Sequence, residues 1–402
     1  MNEIQVLLEA FAALKRDSTR AALATVVKVR GSAYRRPGAR MLIAPDGRTV
    51  GSISAGCLDR DVCERAQKVI ATEVPAVATY DTTAAGDDVW GLGLGCAGLV
   101  EVLIEPLSQE APANRVLTFL GERVTRRDAG VVVTVFRSGA GVAATVGSRL
   151  MLTEDSPGFC TVEDARLAQA LTDEARQALQ EGRSRVKEYA VPGGTAEAFL
   201  EVVSPPAPLL IFGAGDDAVP LARLAKEIGW HVTVVDNRPR LATTERFPWA
   251  DAVVVVRPED VAQRLPMDDR TAAVVMTHNY AHDLELLKML LPSPVRYLGI
   301  LGARGRTLAM LRALKEAGPA GQEPDLAKVY SPVGVDIGAE TPEEIALAIL
   351  AEIKAVCTDR WAGFLRDRRG PIHDRTDAGV LSVGPEGGGG ITAPAARRSH
   401  DG

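Results

Sequence analysis

The chain has 402 residues, 46% of them hydrophobic and 24% charged, the balance of a soluble globular protein too long for one ordinary core; length alone points to two domains and a tail. A formal net charge of −6, with no basic run interleaved with aromatics, excludes a broad nucleic-acid footprint. No apolar run approaches the length needed to span a bilayer, which excludes a membrane-spanning helix.

The first segment, NEIQVLLEAFAALKRD, is an amphipathic helix with acids and bases interspersed, and lacks the leader and cleavage site of a signal peptide. A strand from Ala21 to Val29 follows, then a loop from Arg30 to Arg40 with four arginines and two glycines in eleven residues. Guanidinium forks recognise phosphate and carboxylate, and glycines let backbone amides converge on the same anion. Arg35, Arg36 and Arg40 are therefore candidate anion ligands, against the alternative of a solvated surface loop. Asp46-Gly47 centres a turn that makes a hairpin of Met41–Ala44 and Thr49–Ser52.

A helix is expected from about Leu58 to Ala71, with Cys57 at its start among small residues. The helix dipole there would favour thiolate, whereas the plainer alternative makes Cys57 a small buried residue. Cys96 stands in a second glycine stretch, Gly91 to Gly98, preceded by Asp87 and Asp88 and followed by a strand from Leu99 to Ile104. Two such cysteines suit chemistry with sulfur or a soft metal. With Cys63, Cys160 and Cys357 they make five scattered cysteines without a CxxC pair, which fits reduced thiols in a cytoplasmic protein. No metal-ligand set is assigned.

From Ala111 to Val203 the pattern gives strands at Val131–Phe136, Val142–Val146, Arg185–Tyr189 and Phe199–Val203 and a helix at about Val162–Glu181, a sheet extension with little chemistry. Ser204-Pro205-Pro206-Ala207-Pro208 is a stiff linker and the domain boundary.

Beyond it, Leu209–Phe212, Gly213-Ala214-Gly215, a helical apolar stripe, His231–Val235 and Asp236 read as strand, glycine turn, helix, strand and acid. Gly213 permits the sharp turn, Gly215 lets backbone approach a ligand, and Asp236 stands where Rossmann units set a carboxylate against ribose hydroxyls. Asp216 and Asp217 complicate the ligand, because a dinucleotide's pyrophosphate would take the helix N-terminus beside them. They either cap the helix and fill that place themselves or bridge to a phosphate through a divalent cation.

Strands at Ala252–Val256, Ala272–Met276 and Tyr297–Leu301 continue the α/β pattern, so loops at their carboxyl ends carry the ligand chemistry. Arg238 follows the acid and could pair with a phosphate. His278 and His282 would share a face, suiting a metal or proton relay, if Asn279–Asp283 were helical; the alternative is loop packing. Gly302, Arg304 and Arg306 form an anion nest before a helix. Thr341, Pro342 and Glu344 supply a capping box for a helix to about Cys357, and from about Gly370 the composition is that of a disordered tail.

GSAYRRPGARMLI, GSISAGCLDRDV and GCAGLVEVLIEPL in the first half, then LLIFGAG, VTVVDNRP, VVMTHN, YLGILGARGR and VGVDIGAETPEEIALAILAEIKAV, resemble in order the xanthine dehydrogenase accessory (XdhC/CoxI) family. The resemblance runs over most of Leu23 to Val356, sparing much of the middle segment. It implies an α/β protein: an N-terminal mixed α+β XdhC/CoxI domain (1–204), a C-terminal Rossmann-like parallel-sheet domain (205–369) and a tail (370–402). The implied role is maturation of a molybdenum hydroxylase of xanthine dehydrogenase or CO dehydrogenase type. In it, a molybdopterin-type molybdenum cofactor is held as cargo, presented for sulfuration by a cysteine desulfurase and delivered to the apoenzyme. Where many relatives read Gly-Ala-Gly-His-Val, this chain has Gly213-Ala214-Gly215-Asp216-Asp217, so that histidine's role does not carry over. The alternative function is an NAD(P)-dependent oxidoreductase using Gly213, Gly215 and Asp236, with His278 as general acid. A homodimer is left open on general grounds.

Overall fold

The structure is a computed structural model that describes residues 2–31, 33–54, 56–81, 98–108, 111–155, 158–317, 325–369 and 381–382. Cys96, its glycine stretch as far as Ala97, and Asp87 and Asp88 lie outside these residues. The fold is α/β and divides into two units, one built on Glu3–Pro205 and the other on Pro206–Asp374.

The first unit runs α1 (Asn2–Arg16), β1 (Ala21–Gly31), β2 (Arg40–Ile43), β3 (Thr49–Gly51), α2 (Asp59–Thr72), β4 (Ala76–Asp81) and β5 (Gly98–Leu107). It continues through α3 (Pro112–Arg126), β6 (Gly130–Ser138), β7 (Arg149–Thr153), β8 (Phe159–Cys160), α4 (Ala165–Glu181), β9 (Arg185–Val191) and β10 (Gly194–Val203). One antiparallel sheet has the order β3-β2-β1-β5-β4, and a second the order β9-β10-β6-β7-β8. Leu381–Ser382 adds a parallel edge strand to β9, in a stretch whose composition predicts a disordered tail.

Side-chain alternation sorts the faces. Ala22, Ala24 and Val26 of β1 pack with Val62, Ala66 and Val69 of α2, while Val131, Val133 and Val135 of β6 pack with Leu167, Leu171 and Ala175 of α4. Between the sheets Val27 and Leu103 meet Phe136 and Phe199. The layers are thus helix, sheet, sheet, helix. Charges also cross this interior: Arg149 pairs with Glu105, Arg40 with Glu201, Lys28 with Glu197, and Arg137 with Glu101. Each sheet supplies two bases and two acids.

The expected strand at Val142–Val146 is instead a packed turn. Ala144 donates its N–H to Val142 (2.8 Å), and Asp164 donates to the Ala143 carbonyl (3.0 Å), so the local backbone groups bond within the turn and to the approach of α4 rather than to a ladder. The glycines on either side close the packing, since a Cβ on Gly141 would stand 2.5 Å from the Gly193 carbonyl. The strand comes later, at β7.

The second unit runs β11 (Pro208–Phe212), α5 (Ala218–Glu227), β12 (His231–Asp236), β13 (Ala252–Val255), α6 (Val261–Arg264), β14 (Ala272–Val275), α7 (Tyr280–Leu290), β15 (Tyr297–Ile300), α8 (Arg304–Ala317), β16 (Val329–Tyr330) and α9 (Pro342–Cys357). Its parallel sheet has the order β13-β12-β11-β14-β15-β16, reversing direction on either side of β11. Leu209 and Ile211 face α5 and α9, whereas Leu210 and Phe212 face α7 and α8. The predicted capping box opens α9, with Thr341 accepting from Glu344 and the Glu344 carboxylate accepting from Thr341.

Candidate functional site at the glycine turn

Gly213 leaves β11 with φ +121, and a Cβ there would stand 2.4 Å from the Met276 carbonyl at the end of β14. Only glycine fits both the backbone angle and the approach. Its N–H reaches the Val235 carbonyl (2.8 Å), and the Ala214 N–H reaches Asp236 Oδ2 (2.7 Å), so the turn is tied down onto the tip of β12.

Asp236 is nearly buried and fully engaged. Oδ1 accepts from the Arg238 backbone (2.8 Å) and Nε (2.9 Å), and Oδ2 accepts from Arg238 Nη2 (2.7 Å) as well as Ala214. Burial pushes this carboxyl up, but the Arg238 bonds and the Ala214 amide outweigh it and hold the group below its ordinary range. The same contact raises Arg238. The sequence sets Asp236 against a ribose and Arg238 against a phosphate; in the fold each is the other's partner.

Asp216 and Asp217 are answered in the same way. Arg246 Nη2 lies 2.9 Å from Asp216 Oδ1 and 3.3 Å from the Ala214 carbonyl. Asp217 stands at the N-cap of α5 but makes no side-chain cap bond, and its Oδ2 lies 2.7 Å from His278 Nε2. The cap expected from the sequence is therefore replaced by an acid–histidine pair. Asp217 Oδ1 also fills the space over Gly215, where a Cβ would meet it at 2.6 Å, with the His278 ring at 4.0 Å.

His278 reaches this place through an unusual backbone. Its φ is +59, a left-handed conformation that a non-glycine residue adopts at a cost. Thr277 anchors it, donating its hydroxyl to Asp283 and accepting the Asn279 N–H (3.1 Å). Asp283 is fully buried, and its other oxygen forms an ion pair with Arg306 Nη2 at 2.6 Å. Asn279 caps α7 by accepting the His282 N–H (3.1 Å). The helix thus begins after His278, so His278 and His282 do not share a face, and among the described residues no group of three or more metal-ligating side chains is gathered.

His282 instead borders a cleft between the ends of β12, β13 and β14, with Asn237 3.5 Å away and apolar walls from Phe212, Val256, Pro258 and Leu286. Its cavity volume, about 20 Å3, gives room for about one water molecule. Gly302 turns with φ +119 into α8, which begins at the exposed Arg304. Arg246 and Asp283 escape sequence reading. Asp283 carries the signal of an acid in a helix's first turn, whereas Arg246 has no local signal and is brought in by the tertiary fold alone.

In the first unit, Cys57 is half-buried against the α2 core and is a free thiol, as are Cys63, Cys160 and Cys357. Ser54 Oγ organises its loop, accepting from Gly56 and Leu58 (both 3.1 Å) and donating to Asp59 (2.6 Å). Burial and the Asp59 charge push Cys63 up. Arg35 forms a two-pronged pair with Glu3. Arg40 is buried on Glu201 and also donates to the Gly38 carbonyl (2.9 Å). Arg36 is exposed. Arg35 and Arg40 are thus occupied by carboxylates of the chain itself.

A six-stranded parallel sheet reversing beside a glycine turn defines the second unit as a Rossmann domain, which follows a two-sheet α+β unit in the chain. The profile of the XdhC Rossmann domain matches residues 209–353, and that of the XdhC and CoxI family matches residues 14–81 and 124–190. The chain is 34% identical over 346 residues to a Bacillus subtilis (strain 168) protein named as a probable xanthine dehydrogenase subunit, covering 85% of this chain and 94% of that protein. It is 23% identical over 336 residues to "Molybdenum cofactor insertion chaperone PaoD" of Escherichia coli (strain K12), covering 84% and 83%. A crystal structure from Bacillus halodurans, described as a xanthine dehydrogenase, superposes with a TM-score of 0.70 at 31% identity over 90% of this chain and 97% of that one. The chain belongs to the XdhC and CoxI family. Among the described residues, no helix is long and apolar enough to cross a membrane.

Proposed function

We propose that this protein is an accessory factor for a molybdenum hydroxylase of xanthine dehydrogenase or CO dehydrogenase type, holding the molybdopterin-type cofactor as cargo and handing it to the apoenzyme in the cytoplasm. Similarity along both units to a chaperone named for molybdenum cofactor insertion supports the accessory role. The observation that carries the reading against nicotinamide turnover is the occupancy of the glycine turn: Asp217 lies over Gly215, and Asp236 has all its acceptor directions filled by Arg238 and Ala214. A dinucleotide would have to displace both.

Arg304, exposed at the start of α8 after Gly302, is the guanidinium we assign to the cargo's phosphate. Cys57, at the threshold of α2, and Cys96 are the thiols we assign to the sulfuration step, with a cysteine desulfurase as sulfur source. The test is anaerobic purification from cells making the cofactor, with molybdenum measured by elemental analysis and pterin by mass, then transfer to an apo-hydroxylase. Copurifying molybdopterin and activation of the apoenzyme are expected. A protein carrying neither pterin nor molybdenum and activating nothing would end the proposal.

The second reading, an NAD(P)-dependent oxidoreductase with His278 as general acid, has the strand order in its favour. It requires saturable dinucleotide binding and hydride transfer, and fails if wild-type protein shows no hydride transfer.

A further inference from the structure

Helix α8 carries four bases, Arg304, Arg306, Arg312 and Lys315, against one acid, Glu316, in a chain whose net charge is −6. Its inner side is accounted for by packing: Thr307 and Met310 are buried, and Leu311 and Leu314 lie against the core. Arg304, Leu308 and Arg312 recur at i, i+4 and i+8 on the other side. All three are exposed, Leu308 by 44%. The space beside them is open, since a Cβ on Gly305 would meet nothing within 4 Å.

Helix stability does not account for this row. The solvent faces of α2, α4 and α7 each set a base three or four residues from an acid that it pairs with: Arg60 with Glu64, Arg176 with Asp173 and Lys288 with Glu285. Arg306 is answered by the buried Asp283. Among the described residues, Arg304 and Arg312 pair with no acid, and Glu316, four residues after Arg312, makes no ion pair with it. Arg304, at the first helical position, also opposes the helix dipole, which favours an acid there, as Asp59 on α2 and Glu343 on α9 illustrate. Two guanidinium groups left unanswered on either side of an exposed leucine make a surface that an acidic partner with an apolar contact would complete.

We propose that Leu308 and Arg312 form the docking face for the apo-hydroxylase, received by an acidic patch of that enzyme with an apolar residue at its centre. The inference rests on the accessory function proposed above. Arg304 lies about 6 Å from Leu308 and about 12 Å from Arg312 along the helix axis, so an enzyme seated on the row has the guanidinium assigned to the cargo's phosphate at its rim. Docking and hand-over then share one helix.

The test is surface plasmon resonance of the full chain against the apo-hydroxylase of the same organism, at low and high salt, with molybdenum and pterin content measured on each preparation. Arg312→Glu and Leu308→Glu should each weaken association about tenfold or more, Arg312→Lys should stay near wild type, and wild-type association should slow as salt rises. Lys288→Glu on α7 makes the same change in net charge away from the row and should bind as wild type does. Cofactor content and circular dichroism should be unchanged in all four variants, since the altered side chains are exposed and none is assigned to the cargo. Cofactor-loaded wild type that does not bind the apoenzyme overturns the inference and leaves the cargo reading standing, as do Arg312→Glu and Leu308→Glu proteins that bind as wild type does. A Lys288→Glu protein as weak as Arg312→Glu overturns it too, because net charge and not the row would then govern binding. Wild type that neither carries cofactor nor binds the apoenzyme ends both readings together.

Discussion

Asp217 Oδ2 lies 2.7 Å from His278 Nε2, so the acid lying over Gly215 is bound to a histidine brought by β14 rather than to the amides of its own helix. A phosphate approaching α5 meets this carboxylate before it meets the amides. Replacing Asp217 by Ala should remove that repulsion and leave the positive end of the helix accessible. The expected outcome is a gain of about tenfold in affinity for NAD or ADP by calorimetry, equivalent to about 1.4 kcal/mol. Asp216→Ala should do less, because that side chain is almost wholly in solvent. Unchanged or weaker binding in Asp217→Ala would show that the carboxylate does not guard the turn.

Arg238→Ala should destabilise the second unit. Asp236, only 5% exposed, receives two of its four bonds from the Arg238 guanidinium, one from the Arg238 backbone and one from the Ala214 amide. The backbone bonds survive the substitution, so the loss is that of the two guanidinium contacts, about 1–3 kcal/mol, read from chemical denaturation. The pH dependence has a definite sign. Asp236 is held below its ordinary range in the fold, so its contribution is complete above the unfolded carboxyl's pKa and lost as pH falls through the lower folded value. The wild type should shed this increment below about pH 4, and Arg238→Ala should show a shallower acid limb there.

The main lines of this arrangement are legible in the sequence because they are local. The glycine turn, the acid closing β12 and the capping box on α9 each lie within a few residues of the backbone feature that explains them. Helix α3 is not among the expected elements, although Ala113, Val116, Leu117 and Leu120 mark its buried stripe at i, i+3, i+4 and i+7. What cannot be read is partnership. Arg40 looks like an anion ligand in its loop, and only sheet stacking brings Glu201, 161 residues away, to meet it. Arg246 reaches Asp216 and Arg306 reaches Asp283 by the same kind of tertiary placement. For Arg40 and Arg306 the sequence shows a base prepared for an anion, and the fold supplies that anion from within.

Gly213→Ala should be poorly tolerated for two additive reasons. The residue has φ +121, and its Cβ would enter the Met276 carbonyl at 2.4 Å, a backbone atom with no freedom to withdraw. A loss of about 2 kcal/mol or more is expected, with early proteolysis in the second unit. Gly305→Ala is the matched control, since nothing lies within 4 Å of a Cβ there and the site is helical. Equal stability of the two variants would remove the claim that the turn is sterically obliged to be glycine.

Between the sheets of the first unit, Arg149 and Glu105 are each 3% exposed at the side chain and paired with one another. Burial pushes the Glu105 carboxyl up, while the Arg149 charge pulls it down, and burial prevails. Removing one partner leaves the other charge in the interior, so Arg149→Met or Glu105→Leu should cost about 3–5 kcal/mol. Removing both lifts that penalty, and Arg149→Met with Glu105→Leu should recover most of the loss. Thermal unfolding of the two singles and the double closes the cycle. If the double were as unstable as the sum of the singles, the pair would be ruled out as a coupled unit, and each side chain would have to be acting through contacts of its own.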